Sequence, residues 1–222
     1  MFPRDSTILT AVSPDGSTLT LLQKGIHYEI RMNGRILMTS ENTGSEIRLA
    51  EIAVREMDKV KSPRILIGGL GMGFTLKRVL QLLPRKAYVK VIEICPEIVT
   101  WNQGELSSLN GGALEDLRTE FIICDIFEFL TDNEEKFHRI ILDVDNGPEF
   151  LSMKKNSRLY RPKGLERLKT CLISGGSLSL WSSEPSPALE KNLQQTGFSV
   201  CVENYSLANG NAAREYYLYL AC

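Results

Sequence analysis

The run Ile65-Leu66-Ile67-Gly68-Gly69-Leu70-Gly71-Met72-Gly73-Phe74 constrains the fold more than any other part of the chain. A short apolar segment without polar alternation passes into a turn with glycine at 69, 71 and 73, and a helical pattern follows from Phe74 to Leu83. Such a segment reads as a strand buried on both faces, as in parallel sheets covered by helices. Glycines at these positions let the backbone turn tightly and let a ligand lie against the main chain.

The same alternation continues downstream. Strands are predicted at Tyr88 to Ile92, Phe121 to Cys124, Arg139 to Leu142, Ser177 to Trp181, Phe198 to Val202 and Glu215 to Leu220. Helices are predicted at Pro96 to Asn102, Pro162 to Ile173, ending at Gly175-Gly176, and Ala188 to Thr196. Strands that alternate with helices argue for an α/β fold with a mainly parallel sheet. Residues 1–44 read differently. Leu19 to Gln23, His27 to Met32 and Arg35 to Thr39 are β-prone, and Asn33-Gly34 is a strong hairpin signal, since both central residues of a type I′ turn need positive φ. The expected organisation is an N-terminal β-hairpin segment, 1–44, and a cofactor-binding domain, 45–222, opening with a helix whose stripe is Ile47, Ala50, Val54 and Met57.

Length and charge bound the rest. A chain of 222 residues supports one sizeable core. With 26 basic and 27 acidic residues the net charge is −1, so neither nucleic acid nor an anionic membrane is an expected partner. Met1 to Asp5 lacks the pattern of a signal peptide, and no apolar run spans a bilayer. The five cysteines form no CxxC or CxH pair, so no metal is expected, and the thiols fit a reducing cytoplasm.

Three carboxylates fall at predicted strand ends beside the glycine turn. Glu93 follows Gly73 by 20 residues, where a carboxylate can accept the hydroxyl hydrogens of a ribose. Asp125 follows the next strand, where it can meet an adenine amino group, and Asp143 follows the one after. Asp145 and Glu149 lie just beyond and could shape a pocket for a cation, and Trp181 could wall it. Trp101 reads as core. A dinucleotide is the rival ligand, but its pyrophosphate favours GxGxxG, and Phe74 stands where that last glycine would be. The Rossmann-like pattern therefore leans toward an adenosyl ligand without phosphates.

The segments ILIGGLGMGFTL, VIEICPEIVTWN, CDIFEFL, RIILDVDNGPEFL and GGSLSLWSSEPSPALEKNLQQTGFSV resemble successive motifs of the spermidine synthase-like family, and the resemblance runs over residues 19–221. It implies a class I methyltransferase fold, a seven-stranded mostly parallel sheet with the last strand antiparallel. It implies S-adenosylmethionine or its decarboxylated form as the donor. It places Gly69, Gly71, Gly73, Glu93, Asp125 and Ile126 at the donor, and Asp143 as the catalytic aspartate that holds and deprotonates an attacking amine. It also implies a homodimer or homotetramer. Two departures bear on the reaction. Gly71 stands where the family has an aspartate that holds an aminopropyl ammonium. Glu46-Ile47-Arg48 stands where the family has a diamine-gripping Tyr-His/Gln-Glu, putting a cation, Arg48, in place of an anion. These departures favour methyl transfer from intact S-adenosylmethionine to an unspecified small-molecule acceptor, an amine among the candidates. Aminopropyl transfer to a polyamine is the alternative, and a non-catalytic adenosyl-binding scaffold the second.

Overall fold

The computed structural model describes residues 6–209 and 212–222. It contains two sheets. The smaller is antiparallel, in the order β1 (Ser6–Val12), β2 (Thr18–Lys24), β3 (His27–Met32), β4 (Arg35–Thr39). Asn33 and Gly34 both take positive φ, 49° and 80°, as the hairpin signal requires. The expected hairpin is thus part of a four-stranded sheet. Its first strand, β1, is an addition to the predicted strands, joined to β2 through Pro14-Asp15-Gly16, where Gly16 takes φ 85° and Asp15 Oδ1 accepts from Ser13 Oγ at 2.5 Å and from Ser17 N at 3.0 Å.

The larger sheet comprises β5 (Arg64–Gly68), β6 (Tyr88–Glu93), β7 (Thr119–Ile123), β8 (Phe137–Leu142), β9 (Leu172–Ser182), β10 (Val200–Asn209) and β11 (Ala212–Ala221). Its order is β10-β11-β9-β8-β5-β6-β7. Pairs β5–β6, β5–β8, β6–β7 and β8–β9 are parallel, while β11 runs antiparallel to both its neighbours. The order reverses at β5, between β6 and β8. This is the Rossmann-like arrangement the alternation predicts, and such a switch point opens a crevice at the carboxyl ends of the strands. Central strand β5 is buried from Ile65 onward, as an unbroken apolar run should be.

Helices α1 (Gly44–Ala53), α2 (Phe74–Leu82), α3 (Pro96–Gln103), α4 (Ser107–Asn110), α5 (Ile126–Asp132), α6 (Pro162–Thr170) and α7 (Pro187–Gln195) complete the fold. Gly175-Gly176 does not end a helix. The glycines lie inside β9, which starts earlier than expected and shifts register against β8 between Phe137 and Arg139. Of the expected stripe, Ala50, Val54 and Met57 are buried and Ile47 is half-buried; Glu46, Leu49 and Ala53 are buried beside them, so Glu46 points inward.

Candidate active site

A cavity opens at the switch point, between the carboxyl ends of β5–β9 and the small sheet. Leu19, Ile30, Met32, Leu37 and Met38 wall it on one side. Gly69, Gly71, Glu93, Asp125, Ile126, Asp143, Asp145 and Trp181 line it from the large sheet, and Glu46 from α1. Five carboxylates thus reach one cavity, and among the described residues no lysine or arginine lines it.

Glu93 is held by backbone amides. Its Oε2 accepts from Leu70 N and its Oε1 from Cys95 N, each at 2.9 Å. Burial raises its carboxyl pKa, and these amides counter the rise. The side chain is fixed beside the glycine turn, each oxygen keeping a lone pair for a ligand hydroxyl. Gly69 has φ +89°, and a Cβ there would lie 2.2 Å from the Asp143 carbonyl oxygen. Backbone from β5 and β8 can approach this closely only at glycine. Asn102 on α3 braces the turn, donating to Gly71 O at 2.8 Å.

Asp143 follows β8. Its Oδ2 accepts from Thr75 Oγ1 at 2.8 Å. Burial pushes its pKa to about 6, against the lowering by Thr75. Glu46 is 7 % exposed, with Oε2 accepting from Ser45 Oγ at 2.6 Å. Burial first, then the charge of Asp143, raises its pKa to about 7. Among the described residues no ion pair reaches either group. Asp145 is engaged within its own loop. Oδ1 accepts from Ser152 N (2.6 Å), Ser152 Oγ (2.6 Å) and Asn156 Nδ2 (2.9 Å), and Oδ2 from Tyr160 Oη (3.0 Å). It lines the cavity and shapes the loop after β8. Trp181 is 9 % exposed and tilts against Tyr216, ring centroids 5.2 Å apart; its indole N–H is buried without an acceptor among the described residues.

Other expected site residues stand apart. Gly73 is the N-cap of α2 with φ +80° and does not line the cavity; it packs on Asn102 and Asn110. Glu149 also lies off the lining, its Oε1 accepting from Ser186 Oγ at 2.9 Å at the start of α7. Asp125 caps α5 through Phe127 N (2.8 Å) and pairs with Lys155 at 2.8 Å. Arg158 approaches the same oxygen at 2.7 Å without the angle of a hydrogen bond, its guanidinium over the Phe127 ring. Burial raises the Asp125 pKa, but Lys155, the Phe127 amide and Arg158 outweigh it, so the carboxyl sits below its usual value. Arg48 is not in the site. It turns away from the cavity to Glu203 of β10 and to Glu51. The cation expected there is replaced by the Glu46 carboxylate, because α1 buries Glu46 and leaves Arg48 half-buried on the side of Glu203.

Glu46, Met38, Thr75 and Asn102 were not among the expected site residues. Glu46 was legible in principle, since Leu49, Ala50 and Ala53 follow it at i+3, i+4 and i+7. Met38 and Asn102 carry no such sign, because only tertiary packing brings them to the turn.

An α/β fold with a switch-point cavity, a glycine turn and carboxylates at the strand ends defines a Rossmann-like architecture of the class I methyltransferase type. The sequence model of the Spermine/spermidine synthase domain matches residues 50–209, and the chain belongs to that family. The polyamine aminopropyltransferase of Saccharolobus islandicus (strain Y.N.15.51 / Yellowstone #2) is 30% identical over 131 residues, 59% of this chain and 42% of that protein. Polyamine aminopropyltransferase 2 of Bacillus anthracis is 32% identical over 136 residues, 60% of this chain and 36% of that protein. The match therefore spans about two fifths of the length of these relatives. The crystal structure of spermidine synthase from Thermotoga maritima superposes with TM-score 0.72 at 16% identity, covering 97% of this chain and 72% of the other. A spermidine synthase bound to the transition state analogue AdoDATO gives 0.71 at 16% identity, with 97% and 71% covered.

Proposed function

We propose that this chain transfers an aminopropyl group from decarboxylated S-adenosylmethionine to a cationic small-molecule amine. The observation that carries this reading is the cavity's charge: buried Glu46 and Asp145 and half-buried Asp143 face a space that, among the described residues, no lysine or arginine lines. Buried carboxylates without cationic partners suit a ligand that brings positive charge. The donor's sulfonium and ammonium, and the acceptor's ammonium, supply it. Methyl transfer, the reaction that Gly71 and Arg48 favoured, is not supported. Arg48 lies outside the cavity, Glu46 restores an anion, and the relatives described above are aminopropyltransferases. An α-carboxylate on the donor would meet like charges in a low-dielectric pocket, which costs several kcal/mol in such settings.

The residues fit such a donor. Glu93 is pre-set for ribose hydroxyls, Ile126 offers an apolar face to the base, and the glycine turn admits the thioether region. Asp143, with Oδ2 held by Thr75, keeps Oδ1 for the acceptor. It takes a proton from the ammonium, and the freed nitrogen lone pair attacks the methylene carbon next to the sulfonium. The carbon–sulfur bond breaks, its electron pair stays on sulfur, and a neutral thioether leaves. Asp143 then faces the new secondary ammonium.

The test is calorimetric titration of the intact protein with decarboxylated and intact S-adenosylmethionine, followed by turnover with diamines. Tenfold or tighter binding of the decarboxylated donor, with methylthioadenosine released on adding a diamine, is the expected result. Equal or tighter binding of intact S-adenosylmethionine would sink the reading.

A further inference from the structure

The donor described above carries an ammonium at the end of its transferable chain, and that charge needs an anion close to the glycine turn. The turn itself offers none. A Cβ on Gly71 would lie 2.8 Å from Met38 Sδ and 3.1 Å from its Cε. Met38 therefore fills the space where a side chain at 71 would project. The thioether is fastened there, since the Met72 amide donates to Met38 Sδ at 3.1 Å.

The other carboxylates are committed. Glu93 is bound to the amides of Leu70 and Cys95. Asp125 is paired with Lys155. Asp145 accepts four hydrogen bonds from its own loop. Asp143 faces the acceptor. Glu46 remains, with Oε2 engaged by Ser45 and Oε1 accepting nothing from another described residue. It reaches the cavity from the same corner of the chain as Met38, since β4 ends at Thr39 and α1 starts at Gly44. One end of that corner is fixed on the donor's turn by the Met38 contact. A carboxylate this buried, with no cation beside it among the described residues, is costly unless a ligand cation completes it.

The geometry points to Glu46 as the specificity-determining residue that holds the donor's terminal ammonium, with Met38 as the spacer that seals the turn beside it. This rests on the aminopropyl reading. Charge is delivered from the helix after the small sheet instead of from the glycine turn. Donor selection here is consequently a property of the β4–α1 corner, and a glycine at 71 is compatible with it.

The test compares two ligands that differ only by the tail. Decarboxylated S-adenosylmethionine carries the aminopropyl ammonium; methylthioadenosine does not. In Glu46→Gln, the dissociation constant for the decarboxylated donor is expected to rise at least tenfold, and that for methylthioadenosine less than twofold. Glu46→Asp, which keeps the charge but withdraws it by one methylene, should fall between, and it reads the same ratio if the glutamine variant does not fold. Equal weakening of both ligands would mean a structural role and overturn the proposal. So would unchanged donor binding with a raised acceptor KM, which would move Glu46 to the acceptor. Failure of the aminopropyl reading is seen separately, in the wild-type protein, as absence of preference for the decarboxylated donor.

Discussion

Ionising Glu46 without a cation beside it costs folding energy, and the sign of that cost can be worked out. Its carboxyl is raised from 4.5 to about 7, mainly by burial. The folded chain then binds this proton more tightly than the unfolded chain does. The stability that follows is complete below about pH 4.5 and is lost as the pH rises to about 7. Glu46→Gln removes the titration. At pH 8 the variant is expected to be more stable than the wild type by roughly 1–3 kcal/mol in ligand-free chemical denaturation, with the difference closing near pH 4. Equal stability at both pH values would show that Glu46 is not desolvated. Activity should follow the opposite slope. Asp143, at about 6, and Glu46 must both be ionised to hold cations, so kcat/KM should climb between about pH 5.5 and 7.5. A flat profile over that range would exclude this pair from the rate-controlling ionisations. Residues at strand ends, Glu93 and Asp143, could be read from sequence because the strand pattern fixes where they emerge. Glu46 is legible only through the phase of α1, since one step decides whether it or Ile47 faces inward, and Leu49, Ala50 and Ala53 carry that phase.

At the scale of elements, the glycine turn is spelled out in sequence, but its support is not. Asn102 on α3 ties Gly71 O and Ile98 O together, at 2.8 and 2.9 Å, and Asn110 on α4 donates to Asn102 O at 2.7 Å. Neither asparagine has a periodicity that marks it, and α4 is only one turn long. Asn102→Ala would leave the Gly71 carbonyl without this donor. A destabilisation of about 1–3 kcal/mol is expected, the usual cost of a buried polar group left unpaired. A loss of methylthioadenosine affinity should accompany it, measurable by calorimetry. A variant that loses stability but binds normally would show that the turn keeps its shape without the brace. In the small sheet both turns are spelled out, Asn33-Gly34 between β3 and β4 and Pro14-Asp15-Gly16 between β1 and β2, so β1 too was legible from its turn.

For the molecule as a whole, the two sheets share one cavity. Leu19, Ile30, Met32 and Met38 of the small sheet face Glu93, Gly69 and Asp143 of the large one. A ligand bound there contacts both and should tie them together. Hydrogen exchange with and without methylthioadenosine should show added protection in β2–β4 as well as in the turn at 69–73. Protection confined to the large sheet would mean that the small sheet does not close on the donor. The overall fold was legible because alternating strands and helices leave few topologies open, and the reversal beside β5 is the commonest of them. What could not be read is how the two sheets meet, since that depends on contacts distant in sequence.

One such contact links α1 to the β10–β11 ribbon. Gly44 lies under Tyr205, where a Cβ would come within 2.1 Å of the phenolic oxygen, and Arg48 pairs with Glu203. Only Tyr217 to Ala221 of β11 register with β9, so the ribbon continues beyond the sheet as far as α1. The helix that carries Glu46 packs on α2 and is also tied to a strand synthesised some 155 residues later. Pairing over such a separation is slow, because loop closure must precede any gain from contact. The ribose end, built from β5 and β6 within a span of 30 residues, from 64 to 93, can form first. On the ribosome and in refolding alike, competence to bind nucleoside should appear before competence to choose between donors.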